Sequence, residues 1–324
     1  MTSDTNGVDL SRVDTLLFSG GIGGAKLASG MARVQPPGTL AVVTNTGDDF
    51  THLGLRVCPD LDTVMYTLAG IADPDRGWGL AEESWHCLEA LERLGGPTWF
   101  NLGDRDLATH IFRSQLMDSG LTLSEVTAQL RMRLGVNQHI LPMTDDEVTT
   151  MVESAVGTLE FQKYFVFHRC KPEVRSVRFE GAADAALLPS VAALLKSARP
   201  PFVVVAPSNP YLSIDPILAL PEVLPLLSAS EVTVAAVSPI VAGRALKGPT
   251  AKIMRELGLE PTSVAIARHY REFVDYLLID ESDADTAGPI AALGIKPVVT
   301  STVMRAQHDK DRLAETLRRL RAEL

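Results

Sequence analysis

The chain has 324 residues, 46% hydrophobic and 22% charged, enough for one large core or two modest ones and ordinary for a globular enzyme. A net charge of -10 argues against a generic nucleic-acid surface but leaves room for local basic pockets that bind phosphorylated small molecules. The polar N-terminal stretch lacks an apolar signal core, and no apolar run approaches the ~18 residues of a membrane span. Cys58, Cys87 and Cys170 are odd in number and far apart, against a disulfide framework, so a cytoplasmic location is expected.

In chain order, residues 14–19 read as a short buried strand that ends in a glycine turn. Residues 24–34 then have helical spacing up to Pro36-Pro37, and residues 40–43 supply the next strand. This order opens a doubly wound parallel sheet, whose ligands lie at the carboxyl ends of the strands. The expected fold is therefore a Rossmann-like three-layer α/β/α sheet with an inserted α/β subdomain. The turn itself, Ser19-Gly20-Gly21-Ile22-Gly23-Gly24-Ala25-Lys26, lets backbone approach an anion and aims a helix start at it. It is not a Walker A loop, because Ala25 stands where the glycine before the lysine belongs and Leu27 replaces Ser or Thr. It also fails the dinucleotide fingerprint, since Lys26 occupies the position of the last glycine.

After the second strand come Asn45-Thr46-Gly47-Asp48-Asp49 and Pro59-Asp60-Leu61-Asp62-Thr63. Carboxylates crowded at a strand's carboxyl end raise each other's pKa or recruit a divalent ion. Pro59-Asp60 before an apolar run is also a good helix start, so Asp60 has a capping reading beside the functional one.

Residues of about 76–184 read as the insertion between core segments 12–75 and 185–324, with helices at 81–94, 106–117 and 122–134 and antiparallel strands at 147–154, 158–167 and 174–179. Within it, Asn101-Leu102-Gly103-Asp104-Arg105-Asp106 leads into a helix with His110 and Arg113 on one face. Asp104 or Asp106 reads either as a helix cap or as a cleft residue. The α/β rhythm resumes with a helix at 191–197 and strands at 202–206, 232–237, 276–279 and 298–300, and an amphipathic basic helix begins near residue 307. Ala206-Pro207-Ser208-Asn209-Pro210 and Val237-Ser238-Pro239-Ile240 follow successive strands, as expected for loops reading a nucleotide across the crevice. Lys247-Gly248-Pro249-Thr250 before a helix is a further candidate phosphate contact. No Gly-x-Ser-x-Gly elbow or Cys/His dyad offers a covalent nucleophile.

Taken in order from residue 18 to about residue 304, the glycine loop, Asn45 to Asp49, Pro59 to Thr63, Trp78-Gly79, Leu102 to Asp106 with Ala108-Thr109-His110, Pro207 to Pro210 and Ser238 to Ile240 resemble the 2-phospho-L-lactate transferase family, CofD/FbiA. The resemblance implies a dimeric enzyme of coenzyme F420 biosynthesis. Family members move the phospho-acid part of a guanosine-diphosphate-activated three-carbon acid onto the terminal ribityl hydroxyl of the deazaflavin Fo, with loss of GMP and a requirement for Mg2+. The acid is phospholactate, phosphoenolpyruvate or phosphoglycerate, and the sequence does not choose among them.

On this resemblance Asp48 and Asp62 are expected to hold the metal, with Asp49 or Asp60 as a supporting carboxylate or as the base; Asp48, Asp49 and Asp62 form the catalytic set. Asp62, Asn101, Asp104 and Arg105 are expected on the Fo side. Gly20, Gly21, Gly23, Gly24, Ser208, Asn209, Pro210, Ser238 and Ile240 are expected on the guanosine diphosphate side. The partners are then small molecules and a second copy of the chain, with neither nucleic acid nor membrane. The rival reading is a CofD-like nucleotide-sugar-binding regulator without transferase activity; Asp60-Leu61-Asp62 followed by Gly103-Asp104-Arg105-Asp106 goes with the transferases. A second rival, an NAD-dependent oxidoreductase, is disfavoured by the failed fingerprint.

Overall fold

The computed structural model describes residues 9–246 and 248–323. Strand β1 (Thr15–Ser19), helix α1 (Gly21–Val34) and strand β2 (Leu40–Thr44) form the expected opening unit, both strands buried along their whole length. The hairpin β3 (Phe50–His52) and β4 (Leu55–Val57) follows, which alternation over so few residues did not signal. Then come α2 (Pro59–Leu68), α3 (His86–Arg93), α4 (Asp104–Asp118) and α5 (Leu123–Arg133).

Strand β5 (His139–Pro142) pairs in parallel with β2, so a piece of the expected insertion belongs to the central sheet. It is an edge strand, where Pro142 costs no ladder hydrogen bond inside the sheet. Strands β6 (Thr149–Ser154), β7 (Gly157–Glu160) and β8 (Val174–Glu180) make a separate antiparallel sheet in the order β7-β6-β8. The strand expected to continue through residue 167 stops at β7 and gives way to a π-helical turn, Lys163–Phe167, because Tyr164 turns into the core.

The remaining core strands are β9 (Phe202–Val205) and β10 (Val234–Val237), then, beyond a two-residue hairpin pair β11 (Ile240–Val241) and β12 (Arg244–Ala245), β13 (Tyr276–Asp280) and β14 (Lys296–Thr300). Seven parallel strands lie in the order β14-β13-β10-β9-β1-β2-β5, a Rossmann-like α/β sheet. Continuous apolar runs such as Phe202-Val203-Val204-Val205 suit it, because helices cover both faces. Alternate residues feed two cores: Leu16, Phe18, Val203 and Val205 face one layer, and Leu17, Val42, Val204 and Leu278 face the other.

The chain winds outward from β1 through β2 to β5, then returns to lay β9 on the opposite side of β1. This reversal opens a crevice beyond the carboxyl ends of β1 and β9, where open α/β sheets bind ligands. Among the described residues no helix is long and apolar enough to cross a membrane.

Candidate active site

A cavity of about 520 Å³ occupies that crevice. The glycine run forms its floor and is already helical: α1 begins at Gly21, three residues earlier than its apolar spacing indicated. Gly21 has φ of 61°, a conformation that side chains disfavour, and its N–H donates to Asp60 Oδ1 at 2.6 Å. At Gly23 a Cβ would lie 2.5 Å from the Pro207 carbonyl oxygen, so the loop after β1 and the loop after β9 can touch only through hydrogen. Ser208 locks the two together: its hydroxyl accepts from Gly20 N at 3.1 Å and donates to Gly20 O at 2.5 Å.

The neighbouring loops supply polar groups. Asn209 Oδ1 accepts from Tyr211 N and Leu212 N, whereas its buried Nδ2 finds no partner among the described residues and remains a donor for a ligand. Lys26 reaches the Met304 carbonyl at 3.0 Å, and both residues line the cavity with Thr250 and Thr302. Ser238 also lines it, but its hydroxyl is engaged by Ile240 O at 3.0 Å and by Ser263 Oγ at 3.0 Å. Three expected donor-side residues lie off the wall, and the first, Gly24, is buried in α1 against the Ser19 and Ser208 side chains. Ile240 packs its side chain into the core, and Pro210 opens the buried turn below Asn209, as β-branched and ring side chains at strand and turn starts do. Lys247 lies outside the described residues.

The carboxylates gather beside the glycine floor. Asn45 organises them: its Nδ2 donates to Asp48 Oδ1 at 3.2 Å and to Asp60 Oδ2 at 3.1 Å, while its Oδ1 accepts from Gly47 N at 2.8 Å. Asp48 Oδ2 accepts from Gln162 Nε2 at 3.2 Å. Burial, then the charges of Asp60 and Asp49, pushes Asp48 well above the ordinary carboxylate range. Burial likewise lifts Asp60 to about 6, against the bonds from Asn45 and Gly21, and Asp49 to about 7, against the charge of Arg56. Asp48 and Asp60 line the cavity, whereas Asp49 is sealed behind it with Arg56 Nη2 at 3.7 Å. The centre is thus short of positive charge, and Asp48 keeps lone pairs free. Among the described residues no group of three or more His, Cys, Asp or Glu side chains could hold a metal by itself. Mg2+ typically takes one or two carboxylates and completes its shell with substrate phosphates and water, so Asp48 and the unrelieved charge around it fit such an ion.

Asp62 sits differently. It lines the cavity but is gripped by Arg113, through Nη1 to Oδ2 at 3.0 Å and a second, shorter bond from Nη2 to Oδ1. Arg113 is 1% exposed and also approaches His110 Nδ1 at 3.2 Å. His110 Nε2 lies 3.3 Å from Asp106 Oδ1, which accepts from Tyr66 OH at 2.7 Å. Against the burial that would raise it, these His110 and Tyr66 contacts hold Asp106 below the ordinary carboxylate range. Asp62 therefore carries a compensated charge, unlike Asp48.

Another part of the lining is apolar and aromatic, with Trp78, Phe100, Leu102, Phe161, Phe165 and Val166. Asn101 also lines the cavity. Asp104 and Arg105 do not. Asp104 accepts from Ser84 Oγ at 2.7 Å, Cys87 N at 2.9 Å and His86 N at 3.0 Å, which makes it the anchor of the α3 start; Arg105 Nη1 donates to Ala81 O at 2.8 Å on the exposed side. Of the two readings open for this segment, capping describes Asp104, and Asp106 is the cavity residue. Gln162 and Thr302 were not singled out from sequence, and a lone Gln between Phe161 and Lys163 or a lone Thr between Ser301 and Val303 carries no signal that could have done so.

The family model described as 2-phospho-L-lactate transferase CofD matches residues 16–321. A 2-phospho-L-lactate transferase of Methanosarcina mazei is 36% identical over 300 residues, covering 93% of this chain and 98% of that protein. One from Methanopyrus kandleri is 40% identical over 312 residues, covering 95% and 97%. A phosphoenolpyruvate transferase of Streptomyces griseus is 40% identical over 287 residues, covering 87% and 90%. Among solved structures, a UPF0052-family protein of Bacillus halodurans superposes with a TM-score of 0.61 over 94% of this chain and 98% of its own, at 14% identity, a likeness of fold alone. Glycine floor, carboxylate centre and aromatic wall all fall inside the matched span, and the chain belongs to the 2-phospho-L-lactate transferase CofD family.

Proposed function

We propose that this transferase moves the phospho-acid part of a guanosine-diphosphate-activated three-carbon acid to the ribityl hydroxyl of Fo and releases GMP, in coenzyme F420 biosynthesis. The observation that carries the reading is one cavity with two unlike sides: helix N–H groups, Lys26 and the free Asn209 amide on one, an aromatic wall on the other, and buried carboxylates between them. A charged nucleotide suits the first side and a deazaflavin ring the second. The helix start at Gly21 and Gly23 holds the donor's phosphates, and the aromatic wall with Asn101 holds the ring of the acceptor. Asp62, fixed by Arg113, faces the acceptor's hydroxyls rather than the metal.

In the transfer, the acceptor oxygen forms a bond to the phosphorus that bears the acid, the bond from that phosphorus to the oxygen of GMP breaks, and the acceptor proton passes to a carboxylate. Asp60 is the base in this scheme, because it lines the cavity and burial lifts its carboxyl to about 6. Mg2+, held by Asp48 with the donor's own phosphate oxygens, would neutralise charge on the phosphates. No protein nucleophile is required. The homodimer expected from the family is part of the proposal, and light scattering reads it directly, a monomer mass removing that part.

Relatives at similar identity carry both the phospholactate and the phosphoenolpyruvate names, so the acid itself is left to assay. A thermal-shift panel tests the reading: GDP with Mg2+, and Fo, should each raise the denaturation midpoint. Stabilisation by UDP-sugars or NAD in place of these ligands would contradict it.

A further inference from the structure

The acceptor-side wall is built on the π-helical turn Lys163–Phe167, closed by the bond from His168 N to Lys163 O at 2.9 Å. Such wide turns occur disproportionately at functional positions. Here the turn and the two residues before it, Phe161 and Gln162, send their side chains in three directions. Tyr164 is fully buried beneath Lys252, whose Nζ lies 5.8 Å from the ring centre, and anchors the turn to the core. Phe161 and Phe165 stack with centroids 5.2 Å apart and, with Val166, line the cavity. Phe165 is nevertheless 39% exposed, an apolar face that a flat acceptor would cover.

The third direction belongs to Gln162. It is 5% exposed, and its Nε2 donates to Asp48 Oδ2 at 3.2 Å and approaches the Asp48 carbonyl at 3.4 Å. The carboxylate of Asp48 is thus held at both oxygens, by Asn45 on one and Gln162 on the other. Asn45 follows β2 in the rigid sheet, whereas Gln162 shares its backbone with Phe161 and Phe165. Pressure on the aromatic wall reaches Asp48 through that side chain alone of the two.

We propose that Gln162 is a positioning residue that couples the occupied acceptor wall to the orientation of the Asp48 carboxylate. The inference rests on the reading of Asp48 as the Mg2+ carboxylate and of Phe161 and Phe165 as the acceptor wall. Coupling of this kind is reciprocal: if Fo tightens Mg2+ binding, Mg2+ tightens Fo binding by the same factor.

The experiment is calorimetric titration of Mg2+ into the full chain, with and without saturating Fo, for the native protein, Gln162→Met and Gln162→Glu. Both replacements keep the side chain's length and lose the donor. In the native chain Fo should tighten Mg2+ by about fivefold or more. In Gln162→Met Mg2+ should bind about tenfold more weakly, and in both variants the effect of Fo on Mg2+ binding should vanish. Fo affinity without metal, read from its own fluorescence, should stay native, whereas with Mg2+ present the tightening of Fo should be lost by the same factor and kcat should fall.

Independent binding of Fo and Mg2+ to the native chain, or native coupling persisting in either folded variant, would overturn the inference while leaving the metal reading intact. A loss of metal-free Fo affinity parallel to that of Mg2+, or unfolding of both variants by circular dichroism, would show a structural role and overturn it too. A native chain that binds no Mg2+ at all would remove the inference together with the metal reading beneath it.

Discussion

Arg113 and Asp48 show how burial assigns roles to charged residues of the same cluster. Arg113 has its guanidinium on Asp62 and no solvent to fall back on, so its removal leaves a carboxylate uncompensated in the interior. Arg113→Met should destabilise the fold by about 3–5 kcal/mol in urea denaturation. A loss near zero would mean that Asp62 is protonated or solvated, contrary to the paired arrangement. Asp48 has the reverse problem, since its neighbours raise the cost of its charge. Asp48→Asn should therefore leave the metal-free protein at least as stable while transfer falls by about 100-fold or more. Near-native turnover of that variant would remove Asp48 from the chemistry.

At the scale of elements, α1 and the loop after β9 work as one unit because Gly23 lets them meet. Gly23→Ala presses a methyl on the Pro207 carbonyl and should cost about 1–3 kcal/mol, with weaker GDP binding in the same thermal-shift assay. Unchanged GDP binding would separate the loop contact from the donor site. Asp104 belongs to another element: it ties the α3 start, so Asp104→Ala should lower the denaturation midpoint and leave kcat and KM unchanged. A fall in kcat with native stability would return Asp104 to the active site. The core strands were legible in the sequence because a parallel sheet covered on both faces demands unbroken apolar runs, as in β9 and β10. β5 was not, since His139 and Pro142 flank only two apolar residues and its partner β2 is remote in sequence. The same limit applies at the site. Asp48, Asp60 and Asp62 stood out as a charge cluster, but which of them was already neutralised depended on Arg113, 51 residues from Asp62. Asp104 looked like a cleft residue because its helix-anchoring contacts come from a segment about twenty residues earlier.

For the whole molecule, the crowded carboxylates link stability to pH and to Mg2+. Asp49 and Asp60 titrate in the folded chain at about 7 and about 6, above their ordinary value of 3.8, so the folded state binds more protons than the unfolded one. Their contribution is fully present below the ordinary value and is lost as pH rises through those folded values. The metal-free chain should thus lose stability between pH 5 and 8 by this route, and stabilisation by Mg2+ should be larger at pH 8 than at pH 5, as read by thermal denaturation. Equal stabilisation at both pH values would contradict a carboxylate centre relieved by a cation. The same centre, lining one cavity with the glycine-rich helix start and the aromatic wall, is what the proposed transfer uses. The most direct test incubates the chain with Fo, GTP, Mg2+, a guanylyltransferase and, in turn, phospholactate, phosphoenolpyruvate or phosphoglycerate, with the products followed by mass spectrometry. The expected result is Fo carrying the phospho-acid, with GMP released in equal amount, from at least one acid; unmodified Fo with all three would contradict the account.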